Sequence, residues 1–298
     1  MKVLITGASG FIGQHLIRQF LDKGIEVNIL TRNSSTQFSG CSCYVWDPYK
    51  KEIDEACFDG VTTLIHLAGA TIAGSWSKSG RELIINSRVI PTQFLIDKLS
   101  TLPHTIKHVV AASAIGIYAN LEALQTEEDY YVNPHFLGEV VQQWEVANMN
   151  FKKIGLEVAL VRIGLVLDKN FGALPKMSGM IQKSLGSVLG SGSQYYSWIH
   201  IEDLVRMLTF IVEEKLEGIY NGVAPTPVTN REFMNVLAKQ LKCTLWMPAV
   251  PEWMLKCLLG DKSVLVLDGQ QVGCQKILRE NFVFRFPKLD IALADIYV

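Results

Sequence analysis

A glycine-rich loop near the N-terminus constrains the fold of this chain more than any other stretch. The apolar run from Val3 to Ile5 is typical of a buried strand, and glycines follow at positions 7, 10 and 13. A helical pattern begins at once, with apolar residues on one side from Phe11 to Leu21. Strand, glycine loop and helix in this order are the context that a dinucleotide-binding fingerprint requires. The opening stretch therefore predicts a nucleotide-binding βα unit, with a plain structural turn as the alternative.

Each part of this loop has an expected task. Gly7 makes the tight turn, Gly10 lets the backbone approach a pyrophosphate, and Gly13 allows close packing of helix on strand. The free N–H groups and the positive dipole end of the helix then hold the phosphates. The cofactor-binding residues predicted here are Thr6, Gly7, Ser9, Gly10, Phe11, Ile12 and Gly13.

The second strand predicts which dinucleotide is bound. It covers Glu26 to Leu30, and in such folds the residue just after this strand faces the adenosine ribose. An acid there suits the free 2′-hydroxyl of NAD, whereas an arginine suits the 2′-phosphate of NADP. This chain has Arg32 and no acid until Asp47, which ends the third strand and is expected near the adenine. We therefore expect NADP(H), with a solvated loop arginine as the alternative.

A further strand supplies the expected crevice. Thr62 to Ala70 reads as a buried parallel strand that runs into small residues, which leave room for a cofactor. We include Leu67, Ala68 and Gly69 among the cofactor residues. Strands alternate with helices to about residue 165, which predicts an α/β fold with a Rossmann-type doubly wound parallel sheet. Glycine and serine then become frequent, as in a loop-rich substrate cap. We expect a dinucleotide-binding domain over 1–165, with return segments near 197–223, and a smaller substrate-binding α/β portion over 166–298.

Composition narrows the function classes. The chain is 49% hydrophobic and 19% charged with a net charge of −1, so no overall field favours nucleic acid or an anionic membrane. We see no signal-peptide pattern and no apolar stretch long enough to span a membrane, so we expect a cytoplasmic protein. The cysteines and histidines form no ligand pattern, so no metal is predicted.

Longer strings along the chain resemble a known superfamily. They are Thr6-Gly7-x-x-Gly10-x-x-Gly13, Leu67-Ala68-Gly69-Ala70-x-Ile72-Ala73-Gly74, Ser113-Ala114-Ile115-Gly116-Ile117-Tyr118, Arg162-Ile163-Gly164, Ser197-Trp198-Ile199-His200-Ile201-Glu202-Asp203-Leu204 and Asp268-Gly269-Gln270. Together these resemble the extended short-chain dehydrogenase/reductase superfamily, the NAD(P)-dependent epimerases and dehydratases. The closer markers resemble its epimerase-family branch with a C-terminal domain of unknown function. The resemblance implies NAD(P) binding, in which we include Arg162, and makes a homodimer a candidate assembly.

The resemblance also implies a catalytic set that this chain lacks in part. The superfamily uses a Ser or Thr with a Tyr and a Lys, the last two separated by three residues. Ser113 matches the first member, but Phe136 and Val140 occupy the other two positions. Tyr118, Tyr130 and Tyr131 are nearby, and none has a lysine four residues further on. We take Ser113 and Tyr118 as the catalytic candidates.

Other charged residues are weaker candidates. Glu127 and Glu128 resemble the acid near the substrate in the superfamily, and His200 is expected at the same rim. Arg88 takes the place of an asparagine that usually faces the site, and an inward arginine binds a phosphate or carboxylate bidentately; we group it with the cofactor residues. Lys176 is a second anion candidate, so the small-molecule substrate is expected to be anionic.

Two hypotheses remain open. In the first, the protein is an NADP(H)-dependent nucleotide-sugar epimerase or reductase with a non-standard proton donor. In the second, it is a non-catalytic NADP(H)-binding sensor or scaffold, which needs neither Tyr nor Lys.

Overall fold

Eight of the described strands form one sheet. The computed structural model describes residues 1–33, 35–129 and 132–297. The strands are β1 Lys2–Thr6, β2 Glu26–Thr31, β3 Ser42–Asp47, β4 Glu52–Ile53, β5 Thr63–His66, β6 His108–Ala114, β7 Glu157–Ile163, β8 Leu165–Leu167, β9 Tyr195–Tyr196, β10 Trp198–His200, β11 Gly218–Gly222 and β12 Val228–Thr229. The sheet runs in the order β11-β7-β6-β5-β1-β2-β3-β4, while β8 pairs with β10 and β9 with β12.

Helices separate most of these strands. They are α1 Phe11–Asp22, α2 Lys78–Thr101, α3 Phe136–Met149, α4 Leu174–Gln182, α5 Ile201–Glu213, α6 Asn230–Gln240, α7 Glu252–Leu259, α8 Val264–Leu267, α9 Gln275–Arg279 and α10 Leu289–Tyr297. In the described part of the chain, no helix is both long and apolar enough to cross a membrane.

The sheet has the doubly wound topology that the sequence predicts. Strand β1 pairs in parallel with both β2 and β5, and β5 pairs in parallel with β6. The crossovers from β1 to β2 and from β5 to β6 lead in opposite directions across the sheet. Because such crossovers are right-handed, α1 and α2 lie on opposite faces. The order therefore reverses between β1 and β5, where the carboxyl ends of the strands open a crevice.

The chain divides into two compact units. Unit 1 comprises residues 1–114, 135–162 and 205–220, and unit 2 comprises 115–134, 163–204 and 221–298. The core of unit 1 is built from sheet residues such as Leu4, Leu64 and Val109 and from Leu95 of α2, all inaccessible to solvent. Within unit 2, Trp198 of β10 packs in a cluster with Phe233 of α6 and Leu293 of α10.

Several elements differ from their predicted bounds. The sequence predicts a helix over Leu83–Leu99, but α2 begins at Lys78, because Ser77 caps it by accepting a hydrogen bond from the Gly80 amide. The strand predicted over Thr62–Ala70 ends at His66. The helix predicted over Gln270–Arg279 is only α9, since Val272 forms a parallel bridge with Gln125. Neither α4 nor α10 is predicted.

Candidate functional site

The loop between β1 and α1 and the first residues of that helix, together residues 7–13, form a cradle that only glycine permits at two positions. Gly7 has a φ of 73°, and a Cβ there would lie 2.7 Å from the carbonyl carbon of Leu67. A Cβ on Gly13 would lie 2.6 Å from the carbonyl oxygen of Gly7. Both distances are too short for real atoms, so a side chain would force the backbone apart. We call this loop the glycine cradle.

The start of α1 is left open to an anion. Gly10 is the N-cap residue and provides no side-chain cap, and the described first turn of the helix contains no acidic residue. The first amide groups of a helix lack partners within the helix itself. Because neither a capping side chain nor an acid is present in this described turn, the positive end of the helix dipole favours an anion such as a phosphate there.

A cavity of about 560 Å³ lies against the glycine cradle in unit 1. Its walls come from the cradle, the ends of β2 and β3, the segment after β5 and one side of α2. The described lining residues are Gly7, Ala8, Ser9, Gly10, Ile29, Leu30, Thr31, Arg32, Phe38, Trp46, Pro48, Tyr49, Leu67, Ala68, Gly69, Ala70, Leu83, Ser87 and Pro91. Among these residues Arg32 is the one with a charged side chain, so the cavity favours an anionic ligand.

The predicted cofactor residues divide into two groups. Those that line the cavity are Gly7, Ser9, Gly10, Arg32, Leu67, Ala68 and Gly69. Those placed behind its walls or elsewhere in unit 1 are Thr6, Phe11, Ile12, Gly13, Asp47, Arg88 and Arg162. Asp47 uses its Oδ1 to accept hydrogen bonds from the amides of Tyr49 and Lys50, and so shapes the turn that carries Tyr49.

The aromatic lining is the part of the cavity that sequence reasoning missed. Trp46 ends the buried face of β3, while Phe38 and Tyr49 stand in the loops on either side of that strand. A flat aromatic or apolar surface of this kind can stack against a nucleotide base. The available signal was the clustering of aromatic residues around the predicted third strand.

A buried chain of hydrogen bonds ties the cradle strand to α2. Thr92 Oγ1 donates to the carbonyl of Arg88 at 2.7 Å and therefore accepts from His66 Nε2 at 3.0 Å. His66 Nδ1 is then left to accept from Thr6 Oγ1 at 2.7 Å. Thr6 Oγ1 in turn accepts from the amide of Ala68 at 3.3 Å. Complete burial lowers the pKa of His66 from 6.5 to about 4, so the ring is neutral. His66 thus has a positioning role for the segment that lines the cavity.

Ser113 belongs to a second buried network. Its hydroxyl donates to Glu145 Oε1 at 2.5 Å. Arg162 donates two hydrogen bonds to the same carboxylate, from Nε to Oε1 at 2.8 Å and from Nη2 to Oε2 at 2.9 Å. Strands β6 and β7 are neighbours in the sheet, which places Ser113 and Arg162 side by side below Glu145 of α3. Since its hydrogen is committed to Glu145, Ser113 presents an oxygen that accepts hydrogen bonds.

Glu145 is the member of this network that the sequence did not reveal. The available signal was an arginine inside a buried strand, because such a charge is almost never buried without a partner. Glu145 is the partner that this signal predicts for Arg162, since it accepts hydrogen bonds from both Nε and Nη2 of that residue.

The positions of the missing Tyr and Lys are filled by packing. Phe136 begins α3 and contacts the ring of Trp76 edge to face at 5.1 Å between centroids. The guanidinium of Arg81 lies 4.8 Å from the Phe136 ring centre. Val140 is 2% exposed. Neither residue has a proton to transfer, and the titratable side chain of α3 that contacts Ser113 is Glu145.

The remaining candidates lie in unit 2 or outside the description. Tyr118 is 1% exposed, and its hydroxyl donates to Asn221 Oδ1 at 2.8 Å. Glu127 accepts from the Asn221 amide at 2.9 Å. His200 Nε2 lies 3.4 Å from Asp295 Oδ2, and burial lowers its pKa although the acid opposes this. Lys176 is exposed in the first turn of α4 and Glu128 in a loop, while Tyr130 and Tyr131 lie outside the described residues.

The fold and this site define a Rossmann-type protein of the extended short-chain dehydrogenase/reductase superfamily. Residues 3–222 match the model of the NAD dependent epimerase/dehydratase family, and the chain belongs to that family. Residues 250–296 match a domain of unknown function, DUF1731. The sequence resemblance is therefore confirmed.

Individual proteins are similar over most of the chain. Epimerase family protein SSP1921 of Staphylococcus saprophyticus is 35% identical over 98% of this chain and 98% of its own. The crystal structure of human epimerase family protein SDR39U1 with NADPH has a TM-score of 0.86 at 28% identity, covering 100% of this chain and 99% of that one. A nucleoside-diphosphate sugar epimerase from Corynebacterium glutamicum has a TM-score of 0.79 at 29% identity, covering 100% of this chain but 58% of the other.

Proposed function

We propose that this protein binds NADP(H) in the cavity beside the glycine cradle and exchanges hydride with a hydroxyl or carbonyl carbon of a small-molecule substrate, as an atypical epimerase or reductase. The observation that carries the proposal is an open cradle with Arg32 as the charged group among the described lining residues. The NADPH in the human relative and the sugar-nucleotide name of the bacterial one are consistent with it.

The chain's own residues fit such a cofactor. The amides of the glycine cradle and of the first turn of α1 would hold the pyrophosphate, and Ser9 would add a hydroxyl. Arg32 would pair with the 2′-phosphate, and Trp46 or Tyr49 would lie against the adenine. Residues 166–298 would supply substrate recognition.

Glu145 and Ser113 would replace the acid–base function of the missing pair. When bound, the nicotinamide accepts or supplies a hydride at its ring carbon. As the substrate hydroxyl becomes a carbonyl, its O–H bond breaks and the proton passes to Ser113 Oγ in the same step in which the hydrogen of Ser113 passes to Glu145 Oε1. The serine stays neutral throughout, and the protein gains one proton in total, on Glu145. Reduction runs the same transfers in reverse.

Tyr118 stays a second proton-transfer candidate. Its hydroxyl hydrogen is directed to Asn221, and it would have to leave that bond to reach a substrate. Replacement of Ser113 by Ala and, separately, of Tyr118 by Phe distinguishes the two. We expect a rate loss of at least about a hundredfold for Ser113→Ala and less than about threefold for Tyr118→Phe, typical of removing or sparing the acid–base group.

The packing at Phe136 and Val140 favours a second candidate function, a non-catalytic NADP(H) sensor or scaffold. Such a protein needs the cradle and cavity, but no proton carrier. Incubation of the purified protein with NADPH and a panel of carbonyl compounds and nucleotide sugars separates the two. Tight NADPH binding without turnover across the panel would favour the sensor and count against the enzyme.

A cofactor titration tests the binding step itself. Because Trp46 lines the cavity, its fluorescence should respond to NADPH and NADH. We expect NADPH to bind at least about tenfold more tightly than NADH, roughly 1.4 kcal/mol, through one charged phosphate contact. Arg32→Ala should abolish that preference, whereas Arg18→Ala, an exposed arginine of α1, should leave it unchanged. Equal affinities in the unmodified protein would overturn the NADP(H) assignment.

A further inference from the structure

Two arginines of α2 stack on two aromatic residues of α3. The guanidinium of Arg81 lies 4.8 Å from the ring centre of Phe136, and that of Arg88 lies 4.8 Å from the ring of Trp144. The arginines are two helical turns apart, so they share one face of α2. We call these four residues the α2–α3 seam. At this distance each guanidinium is attracted to the face of its ring by a cation–π interaction.

The two arginines differ in what their nitrogens contact. Arg81 Nε donates to the carbonyl of Trp76 at 3.0 Å. Arg88 Nη1 donates to the carbonyl of Ile84 at 2.9 Å and to Ser87 Oγ at 3.3 Å. Arg88 Nε is fully buried and has no acceptor, and Nη2 has no hydrogen bond within the described part of the chain. Arg88 therefore has one unpaired edge, formed by Nε and Nη2.

Arg88 is also a buried charge without a counter-ion. The residue is 9% exposed, and no carboxylate of a described residue forms an ion pair with it. Burial lowers its pKa to about 10, which leaves the guanidinium charged at neutral pH. Buried charges in proteins are normally paired, so an anion from outside the chain is the expected partner.

Arg162 shows how such an edge is used in the same unit. Its Nε and Nη2 donate side by side to the two oxygens of Glu145 at 2.8 and 2.9 Å. The fork matches the spacing of carboxylate or phosphate oxygens. The Nε–Nη2 edge of Arg88 has the same geometry and lacks the oxyanion.

The cavity wall is thin at this point because residue 69 is a glycine. A Cβ on Gly69 would lie 3.3 Å from Arg88 Cζ and 3.5 Å from Nε. Gly69 and Ser87 both line the cavity, and Ser87 also accepts from the Ala70 amide at 2.9 Å. Arg88 is not among the described lining residues; at this point the main chain of Gly69, which carries no side chain, lies between the cavity and the guanidinium.

We propose that the Nε–Nη2 edge of Arg88 binds an oxyanion, a carboxylate or a phosphate, of a molecule that occupies the cavity beside Gly69. The inference deepens the proposed function and rests on it: the oxyanion would select an anionic substrate and hold it next to the cofactor. The same chemistry is available from a phosphate of the cofactor, and the experiment separates the two sources.

Arg88→Lys keeps the charge but cannot present two parallel N–H groups, so it tests the edge itself. Arg81→Lys is the matched control, since it changes the other arginine of the seam, whose Nε is already paired. Dissociation constants are measured first for NADPH, then for malonate and for inorganic phosphate in protein saturated with NADPH. We expect Arg88→Lys to weaken malonate or phosphate binding at least tenfold with the NADPH constant within twofold, and Arg81→Lys to change neither.

A second readout keeps the test independent of variant folding. In the unmodified protein with ¹⁵N-labelled arginine, the Arg88 Nε–Hε resonance should shift on adding malonate to the NADPH complex. If Arg88→Lys weakens NADPH binding tenfold and neither malonate nor phosphate binds to the NADPH complex, the Nε–Nη2 edge binds a phosphate of the cofactor. In that case Arg88 still binds an oxyanion, and its source is the cofactor. Normal NADPH binding with no saturable oxyanion effect on either the constants or the resonance would overturn the inference alone. Failure to bind NADPH in any form would instead remove the proposed function.

Discussion

The glycine cradle and the α2–α3 seam lie in the same unit and keep very different parts of the superfamily's site. The cradle is made of backbone, and Gly7 and Gly13 are required because a Cβ would strike neighbouring main chain. The seam is made of side chains, and at Phe136 the superfamily's tyrosine is replaced by a ring that packs on Trp76 and Arg81. The part of the superfamily's site that this chain keeps is thus the glycine cradle, whose geometry depends on the backbone.

The difference shows how a fold can keep its cofactor site and exchange its chemistry. A backbone cradle fails if almost any residue replaces its glycines, whereas a packed seam accepts new side chains that fill the same volume. Here the exchange comes with a partly buried carboxylate, Glu145, which contacts both Ser113 and Arg162. Four measurements test this contrast, in order of decreasing expected effect.

The largest effect is expected at Glu145, the carboxylate of α3 that pairs with Arg162. Glu145→Gln removes the charge that pairs with Arg162, whose side chain is 7% exposed. An unpaired buried charge costs about 3–5 kcal/mol, and we expect a loss of about 4 kcal/mol in the free energy of unfolding. Urea denaturation measures it.

The matched control removes both charges. Glu145→Gln combined with Arg162→Gln should be less destabilising than Glu145→Gln alone, because no unpaired charge remains. Additive losses would mean that the pair does not act as a unit.

The second effect concerns the histidine that supports the cradle. Unfolded His66 titrates near 6.5 and the folded residue near 4, so the unfolded chain binds more protons between these values. The free energy of unfolding should therefore be undiminished above pH 6.5 and fall as the pH drops from 6.5 to 4, by up to about 3 kcal/mol from this group.

Comparison with His66→Gln isolates this contribution. Burial also lowers the pKa of His108 and His200, so the unmodified protein has further slope in the same direction. The variant should show a shallower pH dependence of stability. An identical slope would assign the acid sensitivity to the other histidines.

The third effect tests the close packing of the cradle. Gly13→Ala places a Cβ 2.6 Å from the Gly7 carbonyl oxygen, and the forced backbone shift should cost about 2 kcal/mol of stability and weaken NADPH binding. Gly179→Ala in α4 is the control, since its Cβ would meet no atom within 4 Å. It should stabilise the protein by about 0.5 kcal/mol, as alanine does in a helix.

The smallest effect measures the seam itself. A double-mutant cycle of Phe136→Leu and Arg81→Met should give a coupling energy of about 0.5–1 kcal/mol, the usual strength of an arginine–aromatic contact. Because leucine and methionine are apolar or flexible side chains of roughly the size of those they replace, folding should survive. A coupling near zero would mean that the stack does not stabilise α3 against α2.

The sheet was predictable because its signals are local. The apolar runs before residues 7, 32 and 67 and the glycine loop specify β1, β2 and β5 without tertiary information. The start of α2 was not predictable in this way, since the stretch from Lys78 to Arg81 is polar and contains Gly80. Its helical state depends on the Ser77 cap and on contacts of Arg81 across the seam.

The site was predictable where it depends on backbone and missed where it depends on partners. Of the cavity-lining residues in the cradle, Gly7, Ser9 and Gly10 are predicted from the glycine-loop motif, whereas Ala8 is not. Glu145 acquires its role from Arg162 and Ser113, which are distant in sequence and meet it only in the folded unit. The unpaired edge of Arg88 can likewise be recognised only when the hydrogen-bond acceptors around it are known, and the sequence does not give them.

The interrupted path of the chain through unit 1 has a consequence for synthesis on the ribosome. Strand β11, the edge strand next to β7, ends unit 1 at residue 220, long after β7 ends at Ile163. At about 5–20 residues per second, synthesis of the residues between β7 and β11 takes several seconds, and β7 has no partner on that side during this interval. During that time the nascent sheet exposes an unpaired apolar edge, which is a template for association with other chains. The translated order thus gives this protein a window of aggregation risk, which closes only when β11 emerges.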